Sequence, residues 1–212
     1  AIKSRTVPGS AEQDSMVELG QFFLKTLPST EDLWVRTVII SQASHSDASG
    51  KLVFRGEPTD ITQNNALVLD FTHLPKNSTV GLEDVNFAAI VGGVSVTTGA
   101  GQQLLIADNK SQTLDLGAGN DTVYAGGGDD VLINSSGNDR MFGQNGNDTL
   151  SGENGQNILH GGADSDTARF VGKAEDYTVE QHHGFVKVIN KADPSKSTLV
   201  VNSETLQFGD AS

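Results

Sequence analysis

An aspartate recurs at every ninth position through the middle of the chain. Asp121, Asp130, Asp139, Asp148 and Asp166 keep this interval, and Asn157 takes the remaining place in the series. An apolar or small side chain follows two positions after each of them, at Val123, Leu132, Met141, Leu150, Leu159 and Ala168. Glycine-rich, acidic composition alone is typical of a disordered linker. A frame held over six successive units instead predicts a folded repeat.

The six units read LGAGNDTVY, AGGGDDVLI, NSSGNDRMF, GQNGNDTLS, GENGQNILH and GGADSDTAR. They resemble the nonapeptide repeat G-G-x-G-x-D-x-U-x of RTX (repeats-in-toxin) proteins, which forms a calcium-bound parallel β-roll. The resemblance covers residues 116–169, about a quarter of the chain. It implies that each unit is a glycine turn followed by a short strand whose U side chain points inward. Two units complete one turn of the roll, so that units 18 residues apart stack on the same edge.

The donor atoms of these units favour calcium. The repeat frame offers only oxygen donors, which select a hard cation. Turns crowded with carboxylates repel one another unless a cation lies between them. Calcium accepts six to eight oxygens in flexible geometry, and it suits mixed carbonyl and carboxylate shells better than magnesium does. We therefore expect several Ca²⁺ ions.

The family pattern, carried over by position, implies which residues would bind these ions. The predicted side-chain ligands are Asp121 with Asp139, Asp139 with Asn157, Asp130 with Asp148, and Asp148 with Asp166. The predicted carbonyl ligands are those of Leu116, Ala118, Ser135 and Gly137 on one edge, and Ala125, Gly127, Gln144 and Gly146 on the other. The neutral Asn157 predicts a weaker site than the all-aspartate pairs.

Upstream of the regular repeats the frame continues in degraded form. Val96, Leu105 and Leu114 keep the inward position, whereas Gln103 and Gln112 stand where aspartate is expected. We interpret residues 89–115 as metal-poor coils that begin the roll. Asp108 and Asp115 lie out of frame and are expected to be solvated turn charges.

The expected fold class is mainly β: a calcium-bound parallel β-roll between an N-terminal helix-plus-strands region and a C-terminal β cap. The predicted parts are residues 1–88, packing on the roll; 89–169, the roll itself, with regular repeats at 116–169; and 170–212, the cap. A helix is expected over 10–27, with Ser10 as N-cap and an apolar face of Met16, Leu19, Phe22, Phe23 and Leu27. Strands are expected at 34–40, 52–55, 66–71, 85–91, 176–181, 185–189 and 198–201.

The C-terminal segment carries a second resemblance. The stretch from Arg169 to Val179, followed by Glu204-Thr-Leu-Gln-Phe-Gly-Asp, is similar to a cap that follows β-rolls in bacterial RTX proteins. A cap of this kind covers the open end of the roll, so that its edge does not pair with another chain.

Composition excludes several classes of function. The 14 Lys and Arg against 27 Asp and Glu give a net charge of −13, which argues against nucleic acid and against docking on an anionic membrane. There is no cysteine, so disulfides and thiolate chemistry are excluded. No common catalytic motif is present, and we expect no enzymatic activity. The chain is expected to be a monomeric module of a longer protein.

The function expected from these features is calcium-dependent ligand binding. The chain resembles the ligand-binding, peptide-binding-type modules of large bacterial RTX adhesins. This implies type I secretion, location outside the cell or on the bacterial surface, and adhesion to a peptide or glycan on host cells or in biofilms. Candidate ligand contacts are Tyr124 and Phe142, which share one face, and the residues Asp121, Asp130, Gln103 and Gln112. An ion bound between Gln103 and Asp121, or between Gln112 and Asp130, would lack one carboxylate, which a partner could supply.

Two alternatives stay open at this point. The chain could instead be a folding and secretion module appended to a secreted enzyme such as a lipase, protease or polysaccharide epimerase. Tyr124 and Phe142 could pack against the N-terminal region rather than bind a ligand.

Overall fold

The computed structural model describes residues 8–27, 32–39, 51–56, 63–75, 78–152 and 154–209. One helix, α1 (Ala11–Thr26), begins after Ser10, whose hydroxyl accepts a hydrogen bond from the Gln13 amide. The strands are β1 (Asp32–Ile39), β2 (Lys51–Arg55), β3 (Gln63–Asp70), β4 (Thr79–Glu83), β5 (Phe87–Val91), β6 (Ser95–Thr98), β7 (Leu104–Ala107), β8 (Thr113–Asp115), β9 (Thr122–Tyr124), β10 (Val131–Ile133), β11 (Arg140–Asn145), β12 (Thr149–Ser151), β13 (Gln156–Ala163), β14 (Thr167–Phe170), β15 (Tyr177–His182), β16 (Phe185–Asn190), β17 (Ser197–Val201) and β18 (Thr205–Phe208).

The strands form two sheets between which the chain alternates. The ten-stranded sheet has the order β1-β3-β5-β7-β9-β11-β13-β17-β16-β15, and the eight-stranded sheet has the order β18-β14-β12-β10-β8-β6-β4-β2. Neighbours from β1 to β14 are parallel, and within the repeats their register is 18 residues, as in Thr122 opposite Arg140 and Val131 opposite Thr149. The structure is therefore a parallel β-solenoid, and the predicted mainly-β roll is confirmed.

Both sheets run without a break across the expected boundary at residue 88. Strands β3 and β5, on either side of it in the ten-stranded sheet, pair in parallel over Ala66–Asp70 and Phe87–Val91. The expected strands before this boundary are thus rungs of the same solenoid. The division of the chain into these three parts stays a prediction.

The core is a stack of inward side chains between the two sheets. Leu105, Val123, Met141 and Leu159 form one fully buried row, and Leu114, Leu132 and Leu150 belong to the facing row. The inward register expected for the repeats and for the degraded coils is confirmed. The three-residue strands β9 and β10 each contribute one side chain to this core, since the two residues beside it face outward.

The expected strand 85–91 begins two residues later, as β5 (Phe87–Val91), and β4 (Thr79–Glu83) before it is not among the expected strands. The chain turns between β4 and β5, where Asp84 adopts a φ of 55° and Val85 is buried outside either strand. Val85 is apolar and buried but belongs to the turn, so its apolar character was misleading; the polar residues Glu83, Asp84 and Asn86 mark the change of sheet.

Helix α1 packs on the outer face of the ten-stranded sheet. Met16 and Phe23 are buried against β5 and β7, and the Phe23 and Phe87 rings stack with centroids 4.8 Å apart. The expectation for Phe22 is wrong, because 58% of this residue is exposed. At 100° per residue, Met16, Leu19, Phe23 and Leu27 share one stripe, and Phe22 lies outside it.

The C-terminal part closes one end of both sheets. Strands β15 and β16 form an antiparallel hairpin, β16 pairs with β17, and β17 then pairs in parallel with β13. In the other sheet β18 pairs in parallel with β14. Phe170, Tyr177 and Phe208 pack together with centroids 5.5 Å apart. Within the described ranges, no helix is long and apolar enough to cross a membrane.

We expect the thin core to be sensitive to truncation. Leu132→Ala, at a fully buried inward position, should lower the free energy of unfolding by about 2–5 kcal/mol. The matched control is Val131→Ala on the same strand, since Val131 is 36% exposed. Urea denaturation with saturating calcium measures both. Equal effects of the two variants would contradict the inward register.

Candidate metal centre

The repeat aspartates lie at the two edges of the roll, in the turns that connect the sheets. The first edge consists of the segments 116–121, 134–139 and 154–157, each of which leads into a strand of the ten-stranded sheet. The second edge consists of turns 125–130, 143–148 and 161–166, each followed by a strand of the eight-stranded sheet. The predicted alternation of edges is confirmed.

Each carboxylate binds the turn that lies one rung earlier. On the first edge, the main-chain amide of Gln103 donates to Oδ1 of Asp121 at 2.7 Å. The amide of Asp121 in turn donates to Oδ1 of Asp139, also at 2.7 Å. The Asp139 amide donates to Oδ1 of Asn157 at 2.9 Å. Every contact joins residues 18 positions apart, so the structure brings together the pairs that the repeat predicts.

The second edge repeats this ladder. The amide of Gln112 donates to Oδ1 of Asp130 at 2.7 Å. The amide of Asp130 donates to Oδ1 of Asp148, and the amide of Asp148 donates to Oδ1 of Asp166, both at 2.8 Å. One oxygen of each carboxylate therefore orders the adjacent turn, and the other is left for a different partner.

The second carboxylate oxygens are buried without a partner. Oδ2 of Asp121, Asp130, Asp148 and Asp166 accepts no hydrogen bond, although none of these residues is more than 1% exposed. An unpartnered buried charge costs several kcal/mol of solvation free energy. A cation bound between the turns would supply the missing partner, so this donor set fits calcium.

Two glycines leave space beside these oxygens. A Cβ on Gly143 would lie 2.1 Å from Oδ2 of Asp148, and one on Gly161 would lie 2.4 Å from Oδ2 of Asp166. Both distances are shorter than any contact that a side chain tolerates. At these two turns, the glycine five residues before the aspartate therefore allows the carboxylate to adopt this position.

Burial and mutual repulsion raise the pKa values of the aspartates. Burial, partly offset by the backbone hydrogen bond and reinforced by neighbouring carboxylates, raises the pKa of Asp121 to about 7 and that of Asp130 to about 8. The same causes raise the pKa of Asp148 to about 6. Burial also raises the pKa of Asp139, and burial together with the nearby carboxylates of Glu204 and Asp164 raises that of Asp166. Protons and metal ions therefore compete for the same oxygens near neutral pH.

The Asp139–Asn157 pair differs from the others through Asn134. The Asn134 side-chain amide donates to Oδ2 of Asp139 and, at 3.1 Å, to Oδ1 of Asn157. Asn134 stands five residues before Asp139, where Gly143 and Gly161 stand before their aspartates. Its side chain thus satisfies the oxygen that is unpartnered elsewhere. Sequence reasoning identified the neutral Asn157 but missed this bridge, whose only signal is the replacement of glycine by asparagine.

The predicted carbonyl ligands lie in the same turns as the carboxylates. Three of them already accept hydrogen bonds within the fold: the Leu116 carbonyl from Thr98 Oγ1, the Ala118 carbonyl from the Gly101 amide at 2.8 Å, and the Ser135 carbonyl from Asn154 Nδ2 at 3.0 Å. A carbonyl oxygen has a second lone pair, so these contacts are compatible with a metal ion. Calcium ligation by all eight carbonyls stays a prediction.

The upstream glutamines occupy the expected turns but are buried. Gln103 and Gln112 are 5% and 3% exposed, and Oε1 of each is without a hydrogen-bond partner. The expectation that Asp108 is a solvated charge is wrong, because it is 3% exposed. Its carboxylate accepts from Gln112 Nε2 at 2.6 Å and from the Gly92 amide at 2.9 Å. Asp108 thus organises a turn in which an aspartate is missing from the repeat position.

The two aromatic side chains are neighbours on the outer face of the ten-stranded sheet, as expected. The Tyr124 and Phe142 rings stack at 4.7 Å with an interplanar angle of 6°, and His160 follows at 6.0 Å from Phe142. The apolar cluster of helix α1 includes the adjacent Ile106 but neither ring, as far as the described residues show. Because the rings cover each other's faces, mainly their edges point outward.

We expect carboxylate loss at a shared position to weaken calcium binding. Asp148 belongs to two predicted ion sites, so Asp148→Asn should raise the calcium concentration at the midpoint of folding by about tenfold or more, equivalent to about 1.4 kcal/mol. The control is Asp129→Asn, which removes the same charge from an exposed turn position. Calcium titration followed by circular dichroism measures both variants. Equal midpoints would contradict the assignment.

The raised pKa values predict opposite pH trends with and without metal. Asp121, Asp130 and Asp148 shift from 3.8 in the unfolded chain to about 7, 8 and 6. Between pH 4 and 8 the metal-free folded state therefore binds more protons than the unfolded state, and its free energy of unfolding should fall as pH rises. With saturating calcium, acidification should destabilise the fold. The β signal in circular dichroism in chelator, and the urea midpoint in calcium, each measured at pH 5 and pH 8, test this; a metal-free β signal that increases with pH would contradict it.

Comparison with known families agrees with this geometry. The family model described as "RTX calcium-binding nonapeptide repeat (4 copies)" matches residues 106–141 and 133–168. No curated protein matches the chain. The matched segments contain the buried aspartates of both edges together with Gln112. Residues 106–168 are therefore RTX calcium-binding nonapeptide repeats, of the kind found in proteins exported by type I secretion, which bind calcium outside the cell.

Proposed function

We propose that this chain is a calcium-dependent ligand-binding module of a secreted RTX adhesin, located outside the cell or on the bacterial surface, and that it is not an enzyme. The ligand is a peptide or glycan of host cells or of a biofilm. One observation carries this proposal: a groove with two basic side chains on the outer face of the ten-stranded sheet, in a strongly acidic chain.

The groove follows one row of side chains across four strands. Arg140 on β11 pairs with Ile158 on β13, Ile158 with Leu199 on β17, and Leu199 with Lys187 on β16. All four residues line a depression of about 430 Å³. Three strand spacings separate the two cations, roughly 14 Å in all. Ile158 and Leu199 thus lie between the two cations, and the polar residues Asn138, Asp139, Gln156, Asn157 and Ser197 complete the lining of the groove.

The two cations are available to a ligand. Neither Arg140 nor Lys187 forms an ion pair within the described residues. Arg140 is also the only basic residue between positions 115 and 166, where nine acidic residues lie. A guanidinium and an ammonium group at the two ends of the groove favour a ligand with carboxylates spaced along an extended chain.

The surface row beside the groove extends this face. Tyr124, Phe142 and His160 lie on the same side of the sheet, with Phe142 two residues from Arg140. Their outward ring edges provide an apolar border, and they complete the ligand surface as we propose it.

The groove supports ligand binding better than the upstream turns do. In the turns of Gln103 with Asp121 and Gln112 with Asp130, one carboxylate is replaced by an amide, so a bound ion would carry excess positive charge. These four side chains are at most 5% exposed, however, and a ligand carboxylate reaches them only if a turn opens. The groove is open in the folded chain.

Binding to acidic probes tests the proposal. We expect a polyglutamate peptide or a polyuronate oligosaccharide to bind in calcium and to be released by chelator. Arg140→Gln should weaken binding by about tenfold, as expected for the loss of one charge-assisted contact of about 1.4 kcal/mol. The matched control is Arg169→Gln, an exposed arginine on β14 in the opposite sheet. Equal affinity of the two variants, measured by calorimetry, would contradict the groove as the binding site.

A second function, in folding and secretion of an attached enzyme, is favoured by the buried carboxylates. Because the metal-free turns repel, calcium outside the cell would trigger folding of whatever the roll is joined to. Calcium-dependent refolding of a fused passenger, without binding of any acidic probe, would favour this alternative.

A further inference from the structure

The C-terminal cap joins the roll with a shortened turn. His160 and Thr167 pair with Val201 and Thr205, so that the six-residue turn 161–166 is followed one rung later by a three-residue turn, 202–204. This turn lies on the second edge, directly after the last turn of the repeats. No nonapeptide unit covers it, and the repeat match ends at residue 168.

Glu204 takes the place of the next aspartate in the ladder. Its Oε2 accepts a hydrogen bond from the Asp166 amide at 2.7 Å. In the same way, Oδ1 of Asp166 accepts from the Asp148 amide, and Oδ1 of Asp148 accepts from the Asp130 amide, both at 2.8 Å. The turn that carries Glu204 is three residues shorter, and the additional methylene of glutamate extends the carboxylate to the equivalent amide.

The second oxygen of Asp166 faces this turn without a partner. Asp166 is 0% exposed, and its Oδ2 accepts no hydrogen bond. A Cβ on Gly161 would lie 2.4 Å from this oxygen and 2.2 Å from the carbonyl oxygen of Asn202. A buried carboxylate oxygen and a cap carbonyl therefore approach the same glycine.

The charge around this position is uncompensated. Neither Asp166 nor Glu204 forms an ion pair with a basic side chain in the part of the chain that the structure describes. Two adjacent carboxylates, one fully buried, require a cation or a proton between them. The oxygen donors are of the kind that calcium prefers.

We propose that Asp166 and Glu204, with the Asn202 carbonyl, form a further calcium site that joins the cap to the roll. It lies beyond the Asp148–Asp166 pair and takes its second carboxylate from outside the repeats. The ion holds β18 against β14, so that order in the cap depends on calcium. The site is independent of whether the groove binds a ligand.

The test is a count of bound calcium ions. Glu204→Gln keeps an oxygen that can accept from the Asp166 amide but removes the charge, so a purely structural role of Glu204 predicts an unchanged count. We expect native mass spectrometry and equilibrium dialysis to show one ion fewer than in the wild type. The control, Glu175→Gln, removes an exposed cap carboxylate and should leave the count unchanged. An unchanged count and affinity in Glu204→Gln would overturn the proposal.

A measurement on the wild-type chain covers the case in which Glu204→Gln does not fold. A crystal structure with calcium should show an ion about 2.3–2.6 Å from Asp166 Oδ2 and a Glu204 oxygen. Ions in the repeat turns without one at this position would overturn the inference and leave calcium binding by the repeats, and the proposed ligand binding, unaffected.

Discussion

The structure depends on how each repeat aspartate divides its two oxygens. Oδ1 accepts from an amide 18 residues earlier and so fixes one turn against the next. Oδ2 of four of these aspartates is buried without a partner. The first contact determines the register of the roll, and the second leaves a charge that the protein alone does not neutralise. The same carboxylate therefore stacks one turn on the next and creates the binding site for a cation.

The two ends of the solenoid differ in what stabilises them. Upstream, large side chains such as Leu69, Phe71 and Ile90 fill the space between the sheets, and the turns there contain few of the repeat aspartates. In the repeats, one aliphatic side chain per strand makes the core, which is too small to offset the backbone entropy of the turns. We therefore expect the upstream rungs to depend least on calcium, and to provide an edge on which the repeats assemble once ions bind.

The nine-residue period predicted the pairs on each edge and the inward rows, because stacking is a local rule that repeats. It did not predict features that arise where the rule is broken. Asn134 satisfies Asp139 through a side chain at a glycine position, and Asp108 is buried because it accepts from Gln112 in a turn that lacks its aspartate. Glu204 joins the ladder across a register of 38 residues, since the hairpin of β15 and β16 intervenes. Such contacts depend on the path that the chain takes between one turn of an edge and the next. Composition and residue spacing do not encode this path where the repeat is interrupted.

The proposed groove is built from both the roll and the cap. Arg140 directly follows Asp139, whose carboxylate orders the first edge, and Ile158 directly follows Asn157 of the next turn. Leu199 and Lys187 come from cap strands that pair with β13 and with each other. Half of the groove is thus positioned by turns that calcium orders, and the other half by a cap that attaches to the same rungs. A ligand that spans both cations would bind only when both parts are folded, so calcium would control binding through the order of both parts.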